Sequence, residues 1–375
     1  MKRARQHRNP AAGFTLLELL LAMALGTIIL LVGANLYRQA TLATVLITAR
    51  ADMQQNARVA ANSISRELNI AGTGIPNGGV AVPNTTGSQT PVFGCWSGGN
   101  CIPATQLNTN TYPNTAMYPV MPGYQQGITS ISRKMSTITI SYVDPLQPPD
   151  VNTAKTTTMA DYTLAAFNTN GSTITINSNV NCTDNQRGLK VGDVLMMSNI
   201  NGYALGVITG LSSSNRVVAF ATTDPLHLNQ AAGAGVTGNL ASLLAGGTPA
   251  SLPTTAVRVN IVTYYLAPDP GPDGTVGTAD DGPPKLMRQV NANAPIPMAE
   301  AIEILEFTYD VFDDSVASPS ENANQGNPTQ LNQIRKVNLH VGARSLFLMP
   351  AGTYQRMSFY TAVSPRNLSF RDRYK

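Results

Sequence analysis

From Phe14 to Leu36 the chain carries a single ionisable side chain, Glu18, in a run that is otherwise almost wholly apolar. As a helix this run spans roughly 34 Å, enough to cross a bilayer core of about 30 Å. Lys2, Arg3, Arg5 and Arg8 precede it, with no acid before Gly13. A basic flank ahead of an apolar run holds the N-terminus in the cytoplasm and sends the downstream chain across the membrane. A secretory signal would end in a small-residue cleavage site after the apolar run. No clear A-x-A site occurs after it here. The expected topology is therefore a single membrane pass with the N-terminus cytoplasmic and the head translocated.

Glu18 constrains the reading further. A carboxylate within a membrane span costs roughly 2.5–3.5 kcal/mol on insertion scales and usually has a partner. If the chain is cut after Gly13, Glu18 stands five residues in. The new α-amino group of Phe14 on a neighbouring subunit is then a natural cation for it. Cleavage would create the charge that the carboxylate needs.

The helix does not stop at the membrane. Leu42, Val45, Leu46, Met53, Ala57, Ala60, Ile64 and Leu68 recur at spacings of three, four and seven, with Arg50, Asp52, Gln54, Gln55, Asn56, Arg58, Arg66 and Glu67 between them. That is an amphipathic stripe. Ala71, Gly72 and Gly74, with Pro76 beyond, mark its end. One helix over about 14–71 would be roughly 87 Å long.

Beyond it the apolar period becomes two. Val257–Leu266, Leu305–Val311, Val337–Val341 and Met357–Val363 read as strands, with Leu305, Phe307, Tyr309 and Val311 on one face. They predict an α+β fold, an antiparallel sheet packed on the apolar stripe of the helix. Residues 76–255 read as a β-rich elaboration of the 72–375 head, with strands at Thr137–Val143, Thr173–Ile176, Leu189–Ser198, Gly202–Thr209 and Val217–Ala221, and 256–375 as the sheet proper. The segment from Gly188 could open a small barrel-like unit.

The order basic leader, Gly13-Phe14-Thr15-Leu16-Leu17-Glu18 and apolar run resembles the signal of type IV prepilins and type II secretion pseudopilins. That resemblance implies cleavage after Gly13 by a prepilin peptidase, N-methylation of Phe14, and guidance of the subunit into a filament by Glu18. The tail, with its strands and the pair Arg366-Asn367, resembles that of PilW-type minor pilins. The chain is long for a major pilin. The resemblance therefore implies a minor pilin that helps initiate or cap a pilus near its tip. It also implies other minor and major pilins, an inner-membrane assembly platform and a tip adhesin as partners. The subunit would sit in the inner membrane with a periplasmic head before taking a final place on a cell-surface pilus. Two alternatives stand beside it: a pseudopilin similar to GspJ, and a displayed adhesin or DNA-uptake module that uses 76–255 for recognition.

Charge argues against general nucleic-acid binding. Of 25 Lys and Arg, four lie before Gly13, and the remainder balance 21 Asp and Glu. A nucleic-acid binder normally keeps its basic excess on the folded part. Catalysis finds no support either. His7 falls in the leader, His227 and His340 stand far apart, with His340 expected at the surface of a strand, and no nucleophile elbow, P-loop, zinc-helix or dinucleotide signature is present.

Export would make disulfides available. Cys95 and Cys101 enclose a short loop that holds Trp96, and Cys182 is an alternative partner for either. Asp269, Asp273, Asp280 and Asp281 concentrate four carboxylates. Asp269, Asp273, Gly274 and Asp280 fall at positions 1, 5, 6 and 12 of an EF-hand-like spacing, with Gly271 at position 3. Two readings remain open there: a calcium loop, or a solvated hairpin loop between the strand ending at Leu266 and one near Leu286. The basic cluster of Arg366, Arg371, Arg373 and Lys375 reads as a solvated tail.

Overall fold

A computed structural model describes residues 14–83, 91–96, 100–103, 116–149, 162–168, 170–212, 216–230, 240–244, 252–278, 280–313, 320–328, 331–349 and 352–368. One helix, Leu16–Ile70, runs for 55 residues. It ends where the sequence turns to glycine. Gly72 and Gly74 have φ of +79° and +70°, a region that residues with a Cβ rarely enter. A Cβ on Gly74 would also stand 2.6 Å from Val143 Cγ2.

The apolar stripe is buried only in its distal part. Met53, Ala57, Ala60, Ala61, Ile64 and Leu68 are covered by the head, whereas Leu42 and Val45 remain exposed. Three alanines on this face let the sheet backbone come close, and Ile64 and Leu68 fill the space beyond.

Two antiparallel sheets face the helix. The smaller has the order Ser320–Gln325, Ile302–Asp313, Ile334–Arg344, Arg356–Val363. Leu305, Phe307, Tyr309 and Val311 are all buried, as their alternation predicts. The larger, eleven-stranded sheet is organised by one long strand, Thr255–Asp269. Its first part lies between Val194–Asn199 and Tyr162–Phe167. Its second part lies between Thr137–Val143 and Gly282–Val290.

This pairing departs from the expectation of one sheet over 256–375. The strand expected at Val257–Leu266 belongs to the larger sheet, and Ser320–Gln325 takes the fourth place in the smaller one. A period of two shows that a strand has a buried face, but not which edge it will join. The boundary drawn at 255 falls at the first residue of the long Thr255–Asp269 strand.

Between Phe167 and Ala256 the described residues form a second core around Phe167, Ile174, Leu195, Met197, Val218, Phe220 and Leu243. Val194 and Met196 point into the main core while Leu195 and Met197 point into the second. Their strand is thus a wall between two interiors, which explains the unbroken apolar run Val194-Leu195-Met196-Met197. It starts later than the Leu189 expected, because Gly192 turns the chain at φ +95°.

Ile64→Ala should destabilise the head by about 2–5 kcal/mol, and Leu30→Ala, in the exposed half of the helix, should leave head stability unchanged. Urea unfolding of both variants followed at the head's tyrosines checks this. Equal effects would mean that the two halves of the helix do not divide as described.

Candidate functional site

The helix begins with a reciprocal cap. Thr15 Oγ1 accepts from the Glu18 backbone N–H at 3.3 Å, and Glu18 Oε2 accepts from the Thr15 backbone N–H and from Thr15 Oγ1, both at 3.0 Å. This capping box satisfies amides that a helix start leaves without partners. Its signature, Thr-x-x-Glu, is local to the sequence, but taking Glu18 only as an intersubunit group leaves Thr15 out. In the isolated subunit, then, Glu18 holds its own helix start, and its other acceptor positions are open to a further donor. Phe14 is 89% exposed beside it. Gly13 lies outside the described residues.

The first part of the helix is uncovered. It is long and apolar enough to cross a membrane, and none of its most apolar stretch is buried within the chain. Leucines and isoleucines from Leu16 to Leu36 stand exposed all round the helix. A helix that is apolar on every side needs an apolar surround, either lipid or other helices.

The distal part is fixed to the head by polar contacts as well as packing. Glu67, expected on the polar face, is buried. Arg288 reaches it from the Gly282–Val290 strand, with Nε at 2.9 Å and a second contact from Nη2 to the same oxygen. Beside this pair the Tyr264 hydroxyl meets Ser63 Oγ at 2.9 Å. Burial, helped by the negative charge of Glu67, pushes the Tyr142 phenol up to about 12 and raises Tyr264 as well. At the helix end, the Asn367 side-chain amide donates to Ala71 O at 3.0 Å and to Thr73 Oγ1 at 2.8 Å. Asn367 is the second residue of the Arg366-Asn367 pair, and its role here is to tie the turn that follows the Arg356–Val363 strand to the helix C-terminus.

The remaining candidates do not converge on one site. Cys95 and Cys101 are register partners on the short antiparallel strands Val92–Trp96 and Asn100–Pro103. The side chain of Trp96 lies outside what is described. Cys182 is free and buried in the second core, where burial pushes its thiol up to about 11.

Asp269 pairs with Lys285 at 3.0 Å. Asp273 accepts from Thr275 N–H, Asp280 from Thr278 Oγ1 and Asp281 from Gly277 N–H. These contacts shape a turn between two paired strands. Among the described residues no group of three or more His, Cys, Asp or Glu side chains is set to hold a metal ion. His340, expected at the surface, is largely covered. It stacks on Tyr360 at 4.1 Å and pairs with Glu306 at 3.0 Å, because the neighbouring Arg356–Val363 strand lays Tyr360 across it. Arg371, Arg373 and Lys375 lie outside the described residues.

Arg288→Met should cost about 3–5 kcal/mol, since it leaves Glu67 charged and buried without its cation. Pairing it with Glu67→Gln should restore most of that loss. A double variant as unstable as the single one would show that Arg288 acts through packing alone.

Residues 8–34 match the family model of the prokaryotic N-terminal methylation motif. No curated protein and no solved structure matches the chain. The motif implies processing by a prepilin peptidase and assembly with other pilins. The matched segment, the Glu18-capped helix start and the uncovered apolar half of the helix together support a type IV pilin-like or pseudopilin-type precursor anchored in the membrane by its N-terminal helix.

Proposed function

We propose that this chain is a minor type IV pilin, cut after Gly13, N-methylated on Phe14 and built through its helix into the start or tip of a pilus. The observation that carries this reading is the division of one continuous helix. Its distal half is locked to the head by Ile64, Leu68 and the Glu67–Arg288 pair, while its proximal half is left bare with Glu18 at its start. Such a helix is half of an interface, and neighbouring pilin helices supply the other half once it leaves the lipid. The α-amino group of a neighbour's Phe14 would then compete with Thr15 for the Glu18 carboxylate. The head adds a second core to the sheet that seats the helix, which suits a specialised subunit better than a bulk one. The PilW-like tail favours the pilus over a secretion pseudopilus resembling GspJ.

Co-expression with a prepilin peptidase, followed by N-terminal sequencing and intact mass, tests the pathway. The product should begin at methylated Phe14, and Gly13→Ala should abolish it. A chain that keeps residues 1–13, or one cut near residue 40, would end the pilin reading. If the first result holds, the same strain decides the filament. Loss of surface pili on deletion supports the minor pilin, and loss of protein secretion with pili intact supports the pseudopilin.

The reading includes a Cys95–Cys101 disulfide formed after export. It is supported by their cross-strand register and by the burial of Cys182 away from solvent. Alkylation of the folded, unreduced protein should label no cysteine. Labelling of both Cys95 and Cys101 would remove the disulfide.

A further inference from the structure

Among the described residues of the head, those of the turn after Arg344 lie low on the helix, toward its apolar first part. The Arg356–Val363 strand starts beside Arg50, whose Nε donates to Gln355 at 3.4 Å. The chain that leaves it arrives, through Asn367, at Ala71. This strand therefore runs along the helix away from the bilayer, and the turn before it points back toward the bilayer. Arg344, Ser345, Leu346, Phe347 and Met349 face the helix as low as Thr44 and Val45, across a cavity of about 290 Å³.

Three consecutive side chains of that turn are apolar and open to water. Leu346, Phe347 and Leu348 are 39%, 75% and 57% exposed. Elsewhere on the described head, large exposed apolar side chains stand singly in the sequence, which is ordinary for a protein surface. Hydrogen bonds brace the turn on either side of these three residues. Ser345 Oγ donates to Phe347 O at 2.9 Å and accepts from Gln355 N–H at 3.1 Å, and Met349 N–H donates to Thr353 O at 3.0 Å. The apolar tip is thus framed by hydrogen bonds at Ser345, Phe347 O and Met349.

The helix sets how far the tip stands from lipid. Glu18 and Arg38 bracket a stretch without charge, roughly 29 Å long, which fits a hydrocarbon core of about 30 Å. Thr44 lies roughly 9 Å beyond Arg38, and the headgroup layer extends roughly 5–7 Å from the core. At the level of Thr44 the turn stands roughly 2–4 Å outside the headgroup layer. That gap is within the length of a Phe or Leu side chain, so an aromatic and two leucines gain from entering the interface while Arg38 meets lipid phosphate. The one carboxylate lining the cavity, Asp52, stands roughly 12 Å farther up the helix than Thr44.

We propose that Leu346, Phe347 and Leu348 seat the head on the periplasmic leaflet of the bilayer that the helix crosses. The lipid interface is the occupant of this patch, and the seat holds until the subunit is drawn into a filament. This rests on the reading that the Phe14–Leu36 segment spans the membrane.

The test uses the full chain in vesicles of phosphatidylethanolamine and phosphatidylglycerol, with Trp96→Phe as background and a single tryptophan placed by Phe347→Trp or by Leu25→Trp. Lipids brominated near the headgroup or near the chain ends serve as quenchers. Phe347→Trp should emit to the blue of a water-exposed tryptophan and be quenched several-fold more by shallow than by deep bromines, with Leu25→Trp showing the opposite preference. If Leu25→Trp is quenched and Phe347→Trp emits as in water, unquenched, the seat is overturned while the spanning helix stands. Blue-shifted but unquenched emission at Phe347→Trp means that protein covers the turn, and this also overturns lipid as the occupant. If Leu25→Trp is not quenched, the spanning reading fails and the seat falls with it.

Discussion

One helix has to satisfy two solvents, and the arrangement of the head depends on how it does so. Its proximal part is apolar on every side and can be stable only in lipid or among other helices. Its distal part narrows to a stripe of Met53, Ala57, Ala60, Ala61, Ile64 and Leu68 that the head covers. Because both parts belong to one unbroken helix, any force on the head is transmitted to the assembly segment without a hinge. The residues that fix the distal part to the sheets therefore matter to assembly even though they lie far from Glu18.

That attachment combines two kinds of contact. Packing of small side chains sets the distance between helix and sheet, and it is non-directional. Glu67 and Arg288 set the rotation and height of the helix, because a buried carboxylate accepts only the geometry that keeps its cation in place. Asn367 adds a third constraint at the helix end, where it donates to the carbonyl of Ala71. The long Thr255–Asp269 strand then links this seat to the second core, since it pairs with strands of both.

Much of this is legible along the chain. The apolar run, the single Glu18, the amphipathic stripe and its glycine stop place the helix to within two residues at either end. Alternation marks Thr137–Val143, Thr173–Ile176 and the buried face at Leu305, Phe307, Tyr309 and Val311. The Thr15 cap is legible too, since Thr-x-x-Glu is a local signal, although the pairing role expected of Glu18 obscures it. Less legible are strand partners and the height of the buried stripe. Leu42 and Val45 have the same periodicity as Ile64, yet both stay exposed, and Val45 meets the head only across the cavity beside the turn after Arg344.

Residue order alone settles the features that depend on near neighbours: the helix, its capacity to cross a membrane, its processing motif, and the inward face of strands such as Leu305–Val311 that are buried on one side. Hydropathy and periodicity act over a few residues, so they can be read in order. Features that depend on residues far apart are settled by the folded arrangement. It makes Glu67 a buried partner of Arg288 rather than a solvated charge, gives Asn367 its place as a helix cap, puts His340 under Tyr360, and divides the four expected strands between two sheets. In each case the deciding partner lies on another element, and spacing along the chain carries no information about which elements will meet.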